Sequence, residues 1–182
     1  DAELAELMLH KNDWYVRHGR RLLQERGARR SIDSQAIERL EKMATTHADD
    51  TRRLRAAWAL HVTGELTEKL AESLMHDASP YVRGWAIQLA MDVVDGPSES
   101  LLRQFSQMAR DDKSPVVRLY LASAAQSIPP NQRWELLETL TSHSVDADDH
   151  NLPLLYWYAA EPLADVDATR ALALAMSAGE SI

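Results

Sequence analysis

Seven histidines, twenty-eight carboxylates and no cysteine define the side-chain chemistry open to this 182-residue chain. Without Cys there is no thiolate nucleophile, disulfide or thiolate-bound metal, although this leaves the cellular compartment undecided. His10, His76 and His143 could each ligate a metal, but they fall in different parts of the chain. They sit near the ends of helical stretches, where a partly charged imidazole suits the negative helix terminus. No two histidines are four apart, and no His-Glu-x-x-His occurs. These residues read as caps and surface groups. A Ser-His-Asp arrangement could be drawn from His61, Asp77 and Ser79, but no nucleophile elbow or oxyanion loop accompanies them. Ser79 is better placed to start a helix. No residue is therefore assigned a catalytic, cofactor-binding or metal-binding role.

Two stretches could bind a partner. Arg17, Arg20, Arg21, Arg26, Arg29 and Arg30 form a basic cluster that could hold an acidic protein surface, a phosphate or a polyanion. Alternatively, they are a solvated helix face partly paired with Glu25 and Asp33. Tyr156-Trp157-Tyr158 is the densest aromatic site. Consecutive helical positions lie about 100° apart, so at least one of these rings must leave the core side. It could be a contact point, as Trp and Tyr are at interface centres, or the three could fill a join between helices. Trp14, Trp58, Trp85 and Trp134 recur about once per repeat and read as core.

The elements that would position these groups repeat. Asp77-Ala78-Ser79-Pro80-Tyr81-Val82-Arg83 returns as Asp112-Lys113-Ser114-Pro115-Val116-Val117-Arg118, with fainter copies at 49–55, 12–17 and 148–153. Aligned on Arg17, Arg55, Arg83, Arg118 and Pro153, the spacings are 38, 28, 35 and 35, in the range of helical-hairpin arrays. Asp13, Thr51, Ser79, Ser114 and Asp149 stand four residues before each anchor, all good N-caps. Pro80 and Pro115 follow at the first helical position, where a missing N–H costs nothing. One residue before each anchor is an aliphatic (Val16, Leu54, Val82, Val117, Leu152) expected to face the neighbouring helix.

Apolar spacing predicts helix pairs at about 2–10 and 13–26, 33–46 and 51–63, 66–76 and 79–93, 98–110 and 114–127, and 131–142 and 150–160. A last helix at 167–177 has no partner. Gly27 and Gly64 are expected to cap two of the helices, and Gly96-Pro97 and Pro129-Pro130 to stop two more.

The Asp-x-x-Pro-x-Val-Arg motif resembles the HEAT repeat. That resemblance implies a ladder of acid and arginine running from repeat to repeat, here Asp49 with Arg55, Asp77 with Arg83, and Asp112 with Arg118. In the first copy Lys11 takes the acid position, and in the fifth both partners are gone, so the ladder should end before it. More narrowly, His10-Lys11-Asn12-Asp13-Trp14, Arg55-Ala56-Ala57-Trp58-Ala59-Leu60-His61 and Leu152-Pro153-Leu154-Leu155-Tyr156-Trp157 resemble the helical segment of large exported planctomycete proteins. Those proteins are similar to membrane-bound dehydrogenases, with an N-terminal β-propeller and a C-terminal c-type cytochrome. The resemblance implies a spacer or docking scaffold between redox modules, in an exported or periplasmic location. An accessory part in electron transfer or substrate docking is the alternative, but the haem-attachment Cys-x-x-Cys-His is absent from these residues.

The expected fold is all-α: one domain over residues 1–182, a right-handed α-solenoid of about five HEAT-like helical hairpins. The chain starts at Asp1 without an initiator Met and ends Gly179-Glu180-Ser181-Ile182, so it reads as a piece of a longer protein. Its formal charge is −8. Residues 1–60 hold twelve Lys/Arg against ten Asp/Glu, and the rest eight against eighteen. That acidic majority weighs against nucleic acid as partner. No apolar run is long enough for a membrane span. The expected function is non-catalytic, with a protein as partner, whether another domain of the same chain or a separate molecule. A small-molecule ligand is not expected.

Overall fold

Helical apolar spacing, broken by caps, Gly and Pro, turns nearly every stretch of this chain into helix. The computed structural model describes residues 1–93 and 97–178, and no strand occurs among them. The helices are α1 (Ala2–Glu6, continued by a 3₁₀ turn, Leu7–Leu9), α2 (Asp13–Gly27), α3 (Ser34–Thr46), α4 (Asp50–Thr63), α5 (Glu68–Leu74) and α6 (Pro80–Val93). Then follow α7 (Glu99–Asp111), α8 (Pro115–Ser127), α9 (Trp134–Leu140), α10 (Leu152–Ala160, continued by a 3₁₀ turn, Glu161–Asp165) and α11 (Ala168–Ala178). Gly96 and the ending Gly179–Ile182, to which the sequence reading gave roles, lie outside the described residues. No helix among those described is long and apolar enough to cross a membrane.

The chain divides into two compact units, Asp1–Val93 and Val94–Ile182. Within the first, α1, α3 and α5 pack in succession as one layer, and α2, α4 and α6 as the other. Leu23, Leu40, Leu60 and Ile87 are fully buried between them. Each such side chain contributes about 1.5–3 kcal/mol relative to exposure. Within the second unit α7 packs on α9 and α8 on α10, around Phe105, Leu121, Leu137 and Tyr156. There α11 rests mainly on the 3₁₀ turn after α10. The five aliphatics Val16, Leu54, Val82, Val117 and Leu152 are all buried, at the packing positions their spacing implied.

The second helix of each pair starts with the same hydrogen-bond device. A side chain two residues before the cap accepts the cap's own N–H: His10 from Asn12 (3.0 Å), His47 from Asp49 (3.0 Å), Asp77 from Ser79 (2.7 Å), Asp112 from Ser114 (2.9 Å) and Asp149 from Asn151 (2.8 Å). These bonds move three of the expected caps. The N-caps are Asn12, Asp49 and Asn151, not Asp13, Thr51 and Asp149. The first copy's acceptor is His10, not Lys11. Imidazole nitrogen does the work of a carboxylate here, which a search for acids overlooks. The Asp149 carboxyl is held below its usual range by the N–H groups of Asn151 and Leu152.

Correcting the cap in the second copy moves its arginine as well. Arg53, not Arg55, lies four residues after the cap, in the register of Arg83 and Arg118. All three guanidinium groups bond back to the loop before their helix: Arg53 to the carbonyls of His47 and Ala48, Arg83 to those of Asp77 and Ala78, and Arg118 to that of Asp112. Arg53 also grips the Asp77 carboxylate at 2.7 and 2.8 Å, so the guanidinium that pairs with this carboxylate is that of Arg53 rather than Arg83. Asp49 is taken up by capping, accepting from the N–H of Arg52. Arg55 reaches Asp13 and the His10 carbonyl instead.

Nor do the charge pairs end before the fifth copy. Arg118 donates to both oxygens of Asp146 (2.6 and 2.5 Å), and the Tyr156 hydroxyl donates to Oδ2 at 2.7 Å. All three side chains are buried. Asp146 sits in a 3₁₀ turn one residue off the expected acid position, and the aromatic that completes it comes from the next helix. Burial, then the bond to Asp146, pushes the Tyr156 hydroxyl well above the usual phenol range. The Asp146 bond likewise raises the Arg118 guanidinium, against burial.

Two glycines differ in role. Gly64 ends α4 with φ of 78°, letting the N–H of Glu65 return to the Leu60 carbonyl. Gly27 is not a left-handed cap. It is the last residue of α2, where a Cβ would stand 3.1 Å from the Thr63 carbonyl oxygen and 3.2 Å from its Cα. Close approach of α2 to the end of α4 requires it.

Asp146→Ala should cost about 3–5 kcal/mol by leaving the buried Arg118 charge unpaired. Asp148→Ala, at an exposed position on the same loop, should stay within about 0.5 kcal/mol. Urea unfolding of both variants decides, and equal losses would remove the triad from its central place. A second check is alkaline stability. Because Tyr156 ionises less readily folded than unfolded, the stability it supports is complete below about pH 10 and falls as pH rises above it. The wild type should lose stability more steeply above pH 10 than Tyr156→Phe, as read by denaturant midpoints across pH 8–11. Gly27→Ala should destabilise by about 1–3 kcal/mol through overpacking, opposite to the gain of up to about 1 kcal/mol from helix propensity alone.

Candidate functional site

The first unit carries its unspent chemistry on one side of α2, α4 and α6. Spacing of three, four and seven residues places Asp13, Arg17 and Arg20 along one side of α2, Arg55, Trp58 and His61 along α4, and Trp85 and Asp92 along α6. The same helices are anchored in the core through the buried Val16 and Leu23, Leu60, and Val82 and Ile87. Cap geometry fixes the register: the Asn12 side chain accepts from Trp14 N–H (2.9 Å) to open α2, and Asp49 opens α4.

Neighbouring helices exchange contacts across this side. Arg55 donates to Asp13 Oδ1 at 3.1 Å, and Arg17 Nε donates to Oδ2 of the same carboxylate at 2.6 Å. The Arg20 guanidinium lies over the Trp58 ring, 5.3 Å from its centre. Trp58 and Trp85 meet edge to face, with centroids 5.0 Å apart and an interplanar angle of 81°. His61 Nε2 faces Asp92 Oδ2 at 3.8 Å. These tryptophans were expected in the core, and both are instead half-buried.

Three features show that this side is not neutral packing. Arg17 and Arg55 share a single carboxylate, that of Asp13, and the Arg20 guanidinium has no hydrogen bond or salt bridge to any described residue. Burial lowers the Arg20 guanidinium from its usual range, with Asp13 working against that and Arg17 adding to it. Among the described residues, Trp58 Nε1 and His61 Nδ1 are the buried side-chain atoms without a partner. Each such group costs about 1–3 kcal/mol. A face assembled only for stability would not hold an unpaired cation and two orphaned polar atoms together.

The other residues singled out from the sequence divide. The basic cluster is not one surface. Arg21 pairs with Glu25 (3.0 Å), while Arg26 and Arg30 close on Asp1, whose carboxylate also accepts the N–H of Asp33. Asp1, not Asp33, is therefore their counter-charge. The Arg29 side chain bonds to no described residue. Of the cluster, Arg20 lies over the Trp58 ring and Arg17 pairs with Asp13. Trp14 is not core: it is 57% exposed and stacks on His18 at 3.8 Å, with Tyr15 edge-on to it. Trp134 is buried, with Arg170 over its ring.

At the far end of the second unit, Tyr156 turns inward while Trp157 and Tyr158 stay more than half exposed. Trp157 lines an apolar groove of about 300 Å³ with Ala168 and Leu172 of α11. Nothing assembles around His61, Asp77 and Ser79: Asp77 is held by Arg53, the Ser79 hydroxyl donates to Asp50 (2.8 Å), and His61 faces Asp92. His143 Nε2 bonds to the Ala109 carbonyl at 2.7 Å, tying the loop after α9 to the end of α7. Among the described residues, no three His, Asp or Glu side chains lie close enough to hold a metal ion.

Sequence reasoning did not see the Arg20–Trp58–His61–Trp85 face, because it credited both tryptophans to the core. The available signal was Arg55-x-x-Trp58-x-x-His61, one helical side that is polar and aromatic at once. Comparison with known proteins found no matching family model, no matching curated protein and no matching solved structure.

If the Arg20 charge does not serve the fold, its loss should cost little. Arg20→Met keeps the aliphatic stem over Trp58 and removes the repulsion from Arg17, so stability should change by no more than about 0.5 kcal/mol or rise slightly. Arg55→Met, which loses bonds to Asp13 and the His10 carbonyl, should cost about 1–3 kcal/mol. Thermal unfolding of the two variants separates them, and a large loss for Arg20→Met would make that residue structural.

Proposed function

We propose that this chain is a non-catalytic protein-interaction scaffold, a right-handed α-solenoid of about five HEAT-like helical hairpins within a larger protein. Its second helices present the binding face, and a protein segment is the partner. The layered packing of α1, α3 and α5 against α2, α4 and α6 supports this reading, as does the same cap-and-arginine device in both units. The observation that carries it is the side of α2, α4 and α6 where Arg20, Trp58, His61 and Trp85 stay half-buried and where Arg20, Trp58 Nε1 and His61 Nδ1 have no hydrogen-bond partner among the described residues. Half-buried aromatics beside an arginine are the composition of interface centres, where Trp and Arg contribute most on binding. A stability-only surface would pair its charges or cover its rings.

The test is site-directed cross-linking of the full-length protein in its own cells, with a photoreactive side chain at Gln88 of α6. A covalent adduct with a protein is expected, and Arg20→Gln with Trp85→Ala should abolish it while circular dichroism stays unchanged. No adduct, or one that survives the double substitution, would overturn the reading.

A further inference from the structure

The scaffold reading leaves open what chemistry the face selects, and the charge count on its α2 edge narrows the choice. Arg17 and Arg55 bind the Asp13 carboxylate, and Arg20, which feels that charge without bonding to it, has no acceptor among the described residues. The local excess of positive charge sits in a chain whose formal total is −8, so it is a local feature rather than a consequence of composition. Arg20 is also half-buried, which fixes its fork beside the Trp58 ring instead of leaving it loose in solvent. A planar guanidinium held in this way is suited to a carboxylate in two-point contact.

The rest of the face selects among anions. A free phosphate would satisfy Arg20 but find no use for the two indoles beside it. Trp58 and Trp85 offer an apolar edge adjoining the cation, suited to an aliphatic or aromatic group one or two residues from the acid. The orphaned atoms are more specific still. Trp58 Nε1 can only donate. His61 Nδ1 has no described partner, and in the tautomer that carries its proton on Nε2 it can accept. A donor and an acceptor three residues apart on one helix match the C=O and N–H of a peptide chain. Phosphates and simple carboxylates carry no such N–H. Both atoms lie beneath the surface, so the Trp58 ring must turn to present them, and binding recovers the bonds they lack in the free protein.

We infer that the α2–α4–α6 face binds an acidic peptide segment, with a Glu or Asp carboxylate on Arg20, an adjoining apolar side chain against Trp58 and Trp85, and the peptide backbone on Trp58 Nε1 and His61 Nδ1. This rests on the scaffold reading and specifies its ligand. The five indole N–H signals of the ¹⁵N-labelled full chain report on it directly. On titration with acetyl-Leu-Glu-Leu-Glu-amide, the Trp58 and Trp85 signals should move and saturate with a Kd below about 1 mM, while those of Trp134 and Trp157 stay still. Acetyl-Leu-Lys-Leu-Lys-amide and sodium phosphate should leave Trp58 in place.

Arg20→Gln should weaken the Glu peptide about tenfold or more, with Arg20→Lys between it and the wild type. The inference fails if the Glu peptide moves neither indole, if the Lys peptide or phosphate reproduces the shift, or if Arg20→Gln binds as tightly. Failure here with the Gln88 adduct intact would remove the acidic-peptide specificity and leave the docking face. Loss of the adduct would remove the face itself.

Discussion

In the first four pairs the loop between the first and second helix is only three to five residues long, yet it must reverse the chain without stranding a backbone N–H or C=O. Buried backbone groups without partners are expensive, and the protein answers with one device used five times. A side chain two residues before each cap accepts the cap's N–H, so the loop is closed on its donor side. In three copies an arginine one turn into the helix reaches back to the loop carbonyls and closes the acceptor side. In the first copy that arginine is missing, and Arg52 and Arg55 from the next helix bond to the His10 carbonyl in its place. The requirement is kept even where the motif has changed.

Once the loops are tied, the remaining reach of the same arginines joins consecutive copies. Arg53 spans to Asp77, and Arg118 spans to Asp146. A buried guanidinium has five donors, and a single carboxylate cannot use them all, so sharing them between loop carbonyls and the next acid satisfies the whole group. Arg133 does this without any acid: it is buried, and its donors go to the carbonyls of Ile128, Gln126 and Ala159. Burial depresses it while three oxygens hold it in place, joining the end of α8 to α10. Against that thrift, the spare charge of Arg20 and the bare atoms of Trp58 and His61 stand out as places where folding alone explains least.

Helix boundaries and core positions were readable from the chain because they rest on local rules. The second-helix starts came within a residue or two, since cap chemistry, Pro at the first position and apolar periodicity all act over one turn. The slips were equally local. Asp13 and Thr51 are good cap residues next to better-placed ones, and a two-residue error at Thr51 was enough to exchange Arg53 for Arg55. The acceptors His10 and His47 stayed hidden because an imidazole does not look like an acid in a string of letters. Trp14 illustrates a different limit. A tryptophan at helical spacing suits a core, but at the first turn of α2 it stays largely exposed, and His18 takes one face of its ring.

By itself the sequence determined that this protein is built of paired helices, where each begins to within a few residues, and which aliphatic of each second-helix start goes inward. Those outcomes follow from backbone donors and apolar spacing within a few residues. Tertiary structure alone decided which charges meet, because Arg53 and Asp77, or Arg118, Asp146 and Tyr156, are joined across copies by distances that no local rule encodes. It decided too that Arg26 and Arg30 are spent on Asp1 while Arg20 is left over. A charge becomes available for binding only after every nearer partner has been assigned, and that assignment exists only in the folded chain.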